Sequence, residues 1–293
     1  MDMTAPPYRR ILGIRFRMDW GLRSWTALAG GLSTTAILIG LAFGVMPAHA
    51  NERAAACTVS AITEATVTSV TDERTLRLAD GSEVRLAGLE TIVDAGDAAQ
   101  AEALARRAKA ELERLTRGTV AIQTFGEDRY GRRLALAALA DDRSGPTVQE
   151  RLISSGFALT AVRNPVSGCI SRFLAAERRA REAHLGLWAN RHYVQREAER
   201  PESVRLVQGR FALVQGRVVS VNDRGAIVYV NFGRRWSEDF TVTIVKRNAG
   251  NFAAAGFDPR TLTGRQVRVR GWVGERGGPW IEAVGPEQIE IIN

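Results

Sequence analysis

The sequence predicts an α+β protein dominated by β-structure, with a small barrel carrying three helices followed by a second small barrel. Short stretches that alternate apolar and polar residues, as half-buried strands do, fill much of residues 64–140 and 207–284. Three segments with apolar residues at helical spacing lie within residues 99–184. Strands first and interleaved helices later favour a closed barrel with helices packed on it.

The first barrel is predicted to have five strands. They cover residues 67–70, 75–78, 84–86, 119–125 and 134–140. Asp80-Gly81 is a hairpin signal between the second and third of them. A charged turn over residues 126–131 separates the last two strands, which predicts a second hairpin.

The three helices are predicted at residues 99–117, 148–155 and 171–184. Gly118 ends the first helix, whose apolar residues fall on one face. Ser171 is expected to cap the start of the third helix, and Gly186 is expected to stop it.

A polar segment at residues 191–203 is predicted to be a linker, and a second domain is predicted to follow it over residues 204–293. Asn222-Asp223-Arg224 is expected to be the turn between its first two strands. Its strands are predicted at residues 208–221, 225–232, 240–246, 265–274 and 280–284, with a short helix at residues 248–255. Short strands with one helix in so few residues are typical of an OB-fold barrel.

The positive charge of the chain is unevenly distributed. Residues 51–203 hold 22 basic and 22 acidic side chains, whereas residues 204–293 hold 13 basic and eight acidic ones. This surplus favours an anionic partner for the second domain, either nucleic acid or a membrane surface. The alternative is that the charge serves solubility alone.

Residues 1–50 have the parts of an export signal. Five arginines precede an uncharged run at residues 24–51, which contains an apolar core at residues 36–46 and ends on Ala48-His49-Ala50. The alternative is an uncleaved membrane anchor, because the apolar run extends back to Ala27. Both alternatives predict an exported protein. A cleaved signal would leave it periplasmic or extracellular, and an uncleaved anchor would hold it in the inner membrane, facing the periplasm. Membrane contact is expected only through this segment.

The chain has two cysteines, Cys57 and Cys169, both after the export signal. In an oxidising compartment they can form one disulfide. The alternative is a pair of buried free thiols.

Four short motifs occur in a fixed order along the first domain. They are Asp-Glu-Arg-Thr at residues 72–75, Arg-Leu-Ala-Gly-Leu-Glu-Thr-Ile-Val at 85–93, Asp-Arg-Tyr-Gly-Arg at 128–132 and Gly-Leu-Trp at 186–188. In these motifs residues 57–190 resemble the thermonuclease family, also called staphylococcal-nuclease-like. The resemblance implies an OB barrel with three helices, nucleic acid as the partner, and Ca²⁺-dependent hydrolysis of phosphodiester bonds.

The resemblance also implies roles for individual residues. Arg85 and Arg132 match the two catalytic arginines that bind the phosphate, and Tyr130 matches a tyrosine beside it. Asp72 and Glu90 match two metal-binding aspartates of the family. These residue types suit the chemistry, because Ca²⁺ prefers carboxylate oxygens and the guanidinium fork matches phosphate oxygens.

Three positions depart from the family pattern. Arg74 stands where the family has a direct metal ligand, and a cation there repels Ca²⁺. Val93 stands at the general base and Ile92 at a family proline, and valine cannot accept a proton. Asp94 is a candidate substitute base, presented by a one-residue shift of the loop. An alternative role for the two phosphate-binding arginines is ion pairing with Asp72 or Glu90.

Tryptophans and arginines alternate in the second domain, a composition that suits single-stranded nucleic acid. They are Trp236, Trp272 and Trp280 with Arg234, Arg235, Arg268 and Arg270. In Val267-Arg268-Val269-Arg270, apolar and basic residues alternate, which places Arg268 and Arg270 on the same face of the strand. The alternative, favoured for Trp272 and Trp280, is that these tryptophans are core residues and the arginines are solvated.

The sequence therefore favours an exported thermonuclease-like protein that binds nucleic acid, with phosphodiesterase activity weak or lost. One alternative is an active metal-dependent endonuclease that cleaves DNA or RNA. Another is a non-catalytic interaction module of the cell envelope. The sequence has no glycine-rich phosphate loop, and its three histidines lack metal-ligand spacing.

Overall fold

The computed structural model describes Cys57, Val59 and residues 63–91, 98–162, 166–189, 195–235 and 237–292. The predicted export signal lies outside these residues. In the part that is described, no helix is both long enough and apolar enough to cross a membrane. The described residues from Cys57 onward belong to one compact unit.

The first barrel is closed, with strand order β1-β2-β3-β6-β5 and β5 pairing with β1. The strands are β1 (Thr63–Asp72), β2 (Thr75–Leu78), β3 (Glu83–Leu86), β4 (Leu89–Glu90), β5 (Gly118–Glu127), β6 (Arg133–Leu139) and β7 (Leu159–Thr160). The short β4 lies off the barrel and pairs with β7. The predicted strands and the hairpin at Asp80-Gly81 are all present.

Three helices accompany the barrel, which confirms the predicted α+β class. They are α1 (Ala98–Leu115), α2 (Val148–Ser154) and α3 (Ile170–Glu182). Leu112 of α1 and Phe173 of α3 belong to the same apolar core as the barrel strands. The predicted cap of α3 is wrong, because Cys169 occupies the cap position, makes no side-chain capping bond, and leaves Ser171 inside the helix.

A disulfide joins Cys57 to Cys169, 112 positions apart in sequence. It ties the segment before β1 to the start of α3. Both cysteines are buried in the core of the first barrel.

The second domain is an eight-stranded sheet with the order β10-β11-β12-β14-β13-β9-β8 and β15 on β13. Its strands are β8 (Gln195–Glu197), β9 (Phe211–Arg217), β10 (Ser220–Arg224), β11 (Ile227–Asn231), β12 (Thr241–Val245), β13 (Gln266–Arg276), β14 (Gly278–Glu282) and β15 (Ile289–Ile292). Only Val218 and Val219 separate β9 from β10. This bent segment pairs with β13 through its first half and with β11 through its second. The sheet has an apolar core of its own, and this domain is called here the second barrel, although in the described part of the chain strand pairing closes the first barrel alone.

Several local features differ from the sequence prediction. Residues 195–197 of the predicted linker form β8, which pairs with β9, and Pro201–Arg205 forms helix α4. The predicted turn at residues 222–224 is wrong, because these residues continue β10 and the chain reverses at Gly225-Ala226. Helix α5 (Ala249–Ala254) lies where a helix is predicted, and β15 is a strand that the sequence pattern missed.

The two barrels share a buried ionic contact. Arg270 of β13 donates to Glu177 of α3 through both terminal nitrogens, at 2.8 Å and 3.0 Å. The two side chains are 1% and 0% exposed. Glu290 of β15 accepts from Arg268 of β13 and from Arg181 of α3, each at 2.8 Å. This network connects the third helix of the first barrel to the outer face of the second.

Candidate functional site

Arg74 lies in the turn between β1 and β2 and reaches across to β4. Its Nη1 is 2.5 Å from Oε2 of Glu90 and donates to the carbonyl oxygen of Leu89 at 2.9 Å. Its backbone N–H donates to Oδ1 of Asp72 at 2.9 Å. The guanidinium therefore lies against one of the two matched metal carboxylates, while its own backbone holds the other. The Arg74 and Glu90 side chains are 14% and 11% exposed.

Arg85 projects from β3 into the same place. Its Nη1 contacts Oδ2 of Asp72 at 3.4 Å and Oγ1 of Thr75 at 3.2 Å. Burial and the nearby guanidinium of Arg74 lower the pKa of Arg85, and Arg132 adds to this effect, while the Asp72 and Glu90 carboxylates act against it. The charges of the other two arginines and of the two carboxylates thus all act on Arg85, and these five residues are called here the arginine cluster.

Arg132 is held by the turn between β5 and β6. Its Nε and Nη2 both reach Oδ2 of Asp128, at 2.8 Å and 2.7 Å. Burial opposes ionisation of Asp128, but hydrogen bonds from the Arg132 side chain and from the backbone N–H groups of Tyr130 and Arg132 outweigh it. The pKa of Asp128 is therefore lowered. Arg132 also lies 5.1 Å from the centroid of the Tyr130 ring, which is 69% exposed.

The sequence alternative of ion pairing is thus partly correct. Arg85 does pair with Asp72, but Arg132 pairs with Asp128, a residue that sequence reasoning missed. The signal was present in the Asp-x-Tyr-Gly-Arg motif, because a turn brings its first and last residues together. Val93, Asp94 and Ile92 lie outside the described residues.

These residues do not fit a bound Ca²⁺ ion. Calcium takes six to eight oxygen ligands. Here the Arg74 guanidinium already forms an ion pair with Glu90, and Arg85 contacts Asp72. Among the residues that the structure describes, no group of three or more acidic, histidine or cysteine side chains could hold a metal ion.

The predicted nucleic-acid surface of the second domain is partly wrong. Arg268 and Arg270 share a face, but that face packs against the first barrel, where the two residues are 8% and 1% exposed. They are neither solvated nor open to a ligand. Trp272 is 41% exposed and is not a core residue, Trp280 is half-buried, and Trp236 lies outside the described residues.

Comparison with known families supports the resemblance. Residues 83–190 match the family model of staphylococcal nuclease homologues. This range includes Arg85, Glu90, Tyr130 and Arg132, and it ends just after the Gly-Leu-Trp motif. A comparison with curated proteins gives no match. Residues 83–190, which make up the first barrel without β1 and β2, are thus similar to staphylococcal nuclease homologues.

Proposed function

We propose that the first barrel, as a staphylococcal nuclease homologue, binds the phosphodiester backbone of nucleic acid and hydrolyses it weakly or not at all. The 2.5 Å contact between Arg74 and Glu90 carries this proposal. The Arg74 guanidinium, which is always charged, lies against the Glu90 carboxylate, and the family resemblance assigns this carboxylate to metal binding.

The same cluster keeps donors suited to phosphate. Arg85 uses Nη1 for its contacts with Asp72 and Thr75, and Arg132 uses Nε and Nη2 for Asp128. Nη2 of Arg85 and Nη1 of Arg132 make no hydrogen bond to another described residue. Guanidinium groups held in this way are preorganised for phosphate oxygens, and the exposed Tyr130 ring lies beside them.

We extend the proposal to the compartment. A disulfide between Cys57 and Cys169 is stable in an oxidising environment and rare in a reducing one. It supports export of the chain by the N-terminal signal, with the barrels outside the cytoplasm. Fractionation of cells that express the full chain tests this, and a cytoplasmic chain with two free thiols would contradict it.

The hydrolysis claim is tested with the full chain and labelled DNA, in Ca²⁺ and in chelator, beside the variant Arg132→Ala. We expect cleavage that is absent or only slightly above that of the variant in either condition. Strong Ca²⁺-dependent cleavage that is absent in Arg132→Ala would overturn the claim, and Asp94 would then be the first residue to test as the base.

The binding claim is tested by fluorescence anisotropy with duplex DNA at several salt concentrations. The double variant Arg85→Gln/Arg132→Gln should bind more weakly, and its salt slope should fall by about 1.8 because two phosphate contacts are lost. The matched control, Arg106→Gln/Arg114→Gln, removes two exposed arginines of α1. Equal losses in both variants would contradict a specific site.

A further inference from the structure

The outer face of four strands in the second barrel forms a wide groove. Strands β10, β11, β12 and β14 lie side by side, so their outward residues fall in rows across the sheet. One row contains Ser220, Asn231, Thr241 and Trp280, and the next contains Asn222, Tyr229, Thr243 and Glu282. The cavity above them, called here the outer groove, has a volume of about 910 Å³.

Two aromatic rings, Tyr229 and Trp280, line the outer groove. The Trp280 indole lies against Gly274, where a Cβ atom would come within 2.6 Å of its Nε1. The Arg276 guanidinium is 5.7 Å from the Trp280 ring centroid. Trp280 is thus fixed by a glycine on the neighbouring strand and by a cation, while the groove leaves both rings partly open to a ligand.

Arginines stand at both ends of the outer groove. Arg224 lies at one end, opposite Ile227 of β11, and Arg247 follows β12 at that end. Arg234 and Arg276 lie at the other end. Ile227 lies at the first end and Gly233 at the second. Six residues of extended chain separate them, so the two ends are about 20 Å apart.

The carboxylates of the outer groove are already engaged. Glu282 pairs with Arg247 at 3.3 Å, and Asp239 accepts from the backbone N–H of Arg235 at 2.7 Å. Within the described residues, no carboxylate pairs with Arg224 or Arg234. Within the described residues, the groove therefore combines arginines without a carboxylate partner at both ends with small polar side chains and two aromatic rings.

We infer that the outer groove binds a short segment of single-stranded nucleic acid. Its bases would stack on Tyr229 and Trp280, and its phosphates would meet the terminal arginines, because stacking platforms between cations are what such strands require. A duplex hides its base faces and cannot use the rings. This site is separate from Arg85 and Arg132 of the first barrel and goes beyond the function proposed for them.

The contacts between the barrels leave the outer groove open. Among the described residues, the first barrel contacts the second through Arg270 of β13, Glu290 of β15 and an apolar cluster that contains Leu213 of β9 and Trp188. The groove is built mainly from β10, β11, β12 and β14. The face of the second barrel that carries Arg270 is therefore buried against the first barrel, whereas the face that carries the outer groove does not take part in this contact.

The test is anisotropy of a labelled oligothymidine with the full chain. The variant Arg224→Gln/Arg234→Gln should lower the salt slope by about 1.4, the value for two lost contacts to a single strand. Tyr229→Leu should weaken binding about tenfold, whereas Tyr229→Phe should keep most of it, because the ring is what stacks. The control Arg106→Gln/Arg114→Gln should leave both the salt slope and the affinity close to wild type.

The outcomes separate this site from that of the first barrel. Affinity for duplex DNA should fall in Arg85→Gln/Arg132→Gln and stay close to wild type in the groove variants. Affinity for the single strand should fall more in the groove variants than in Arg85→Gln/Arg132→Gln. Unchanged oligothymidine binding in Arg224→Gln/Arg234→Gln and in Tyr229→Leu would overturn the inference. Equal affinity for a sulfated polysaccharide, with the same loss in each variant, would also overturn it, because charge alone would then explain binding.

Discussion

The guanidinium of Arg74 contacts Glu90 and lies next to Asp72, so this one side chain gives the arginine cluster its surplus of positive over negative charge. The variant Arg74→Asp should remove the cation and leave three carboxylates facing each other. We expect this variant to gain a Ca²⁺ response that the wild type lacks. At a Ca²⁺ concentration of 100 times Kd, binding would add about 2.7 kcal/mol to the free energy of unfolding.

Thermal unfolding with and without Ca²⁺ measures this gain. The control is Arg77→Asp, which makes the same charge change at an exposed side chain of β2. A rise in Tm with Ca²⁺ in Arg74→Asp alone supports the assignment. No rise, or the same rise in both variants, would mean that Arg74 does not stand in for a metal ion.

At the scale of elements, Gly88 fixes the approach of β4 to α3. Its φ is +78°, and a Cβ atom there would lie 2.5 Å from Val166 and 3.0 Å from Phe173. Gly88→Ala should therefore combine backbone strain with overpacking. Gly81→Ala, at φ +80° with nothing within 4 Å, carries the strain alone. We expect Gly88→Ala to cost about 1–3 kcal/mol more than Gly81→Ala in urea unfolding, and equal costs would contradict this packing.

Elements with local signals were predictable from the sequence. Asp80-Gly81 defines a hairpin by its own chemistry, and the period of the apolar residues defines α1. Strand β8 was missed because residues 195–197 gain their pairing only from β9, and their polar composition is typical of a linker.

Side-chain partners were harder to predict than elements. The alternation in β13 correctly placed Arg268 and Arg270 on one face, but periodicity does not show what covers that face. Their partners Glu177 and Glu290 are 93 and 22 positions away from Arg270 and Arg268 respectively. The outer groove was missed for the same reason, because its rows combine four separate strands, although the alternation around Tyr229 was a signal for an outward face.

At the scale of the whole molecule, the buried pair of Glu177 and Arg270 couples the two barrels. Glu177→Gln leaves the Arg270 charge buried without its carboxylate, and should cost about 3–5 kcal/mol in free energy of unfolding. The double variant Glu177→Met/Arg270→Met should cost much less than the sum of its single variants, because no charge is then stranded. Urea unfolding of the wild type, Glu177→Met, Arg270→Met and the double variant gives this cycle, and additive costs would contradict the coupling.

Acid should weaken the same interface through Glu290. Burial raises its pKa, but Arg268 and Arg181 outweigh burial and hold the pKa below the ordinary value of 4.5. A carboxyl group with a lowered pKa stabilises the fold above its unfolded pKa and loses this effect as the pH falls through the folded value. The free energy of unfolding should therefore fall below about pH 4.5, and less steeply in Glu290→Gln. The same steepness in both proteins would exclude Glu290 as the cause.

Because Arg74 is covalently part of the chain, the cation that it supplies has no dissociation equilibrium. A bound calcium ion is lost when its supply falls, whereas a tethered group keeps its local concentration at any dilution. Compared with a bound metal ion, such a group lacks Lewis acidity but is always in place. Outside the cytoplasm, where the proposed export would place the chain, its charge pattern would stay the same whatever the ionic composition of the surroundings.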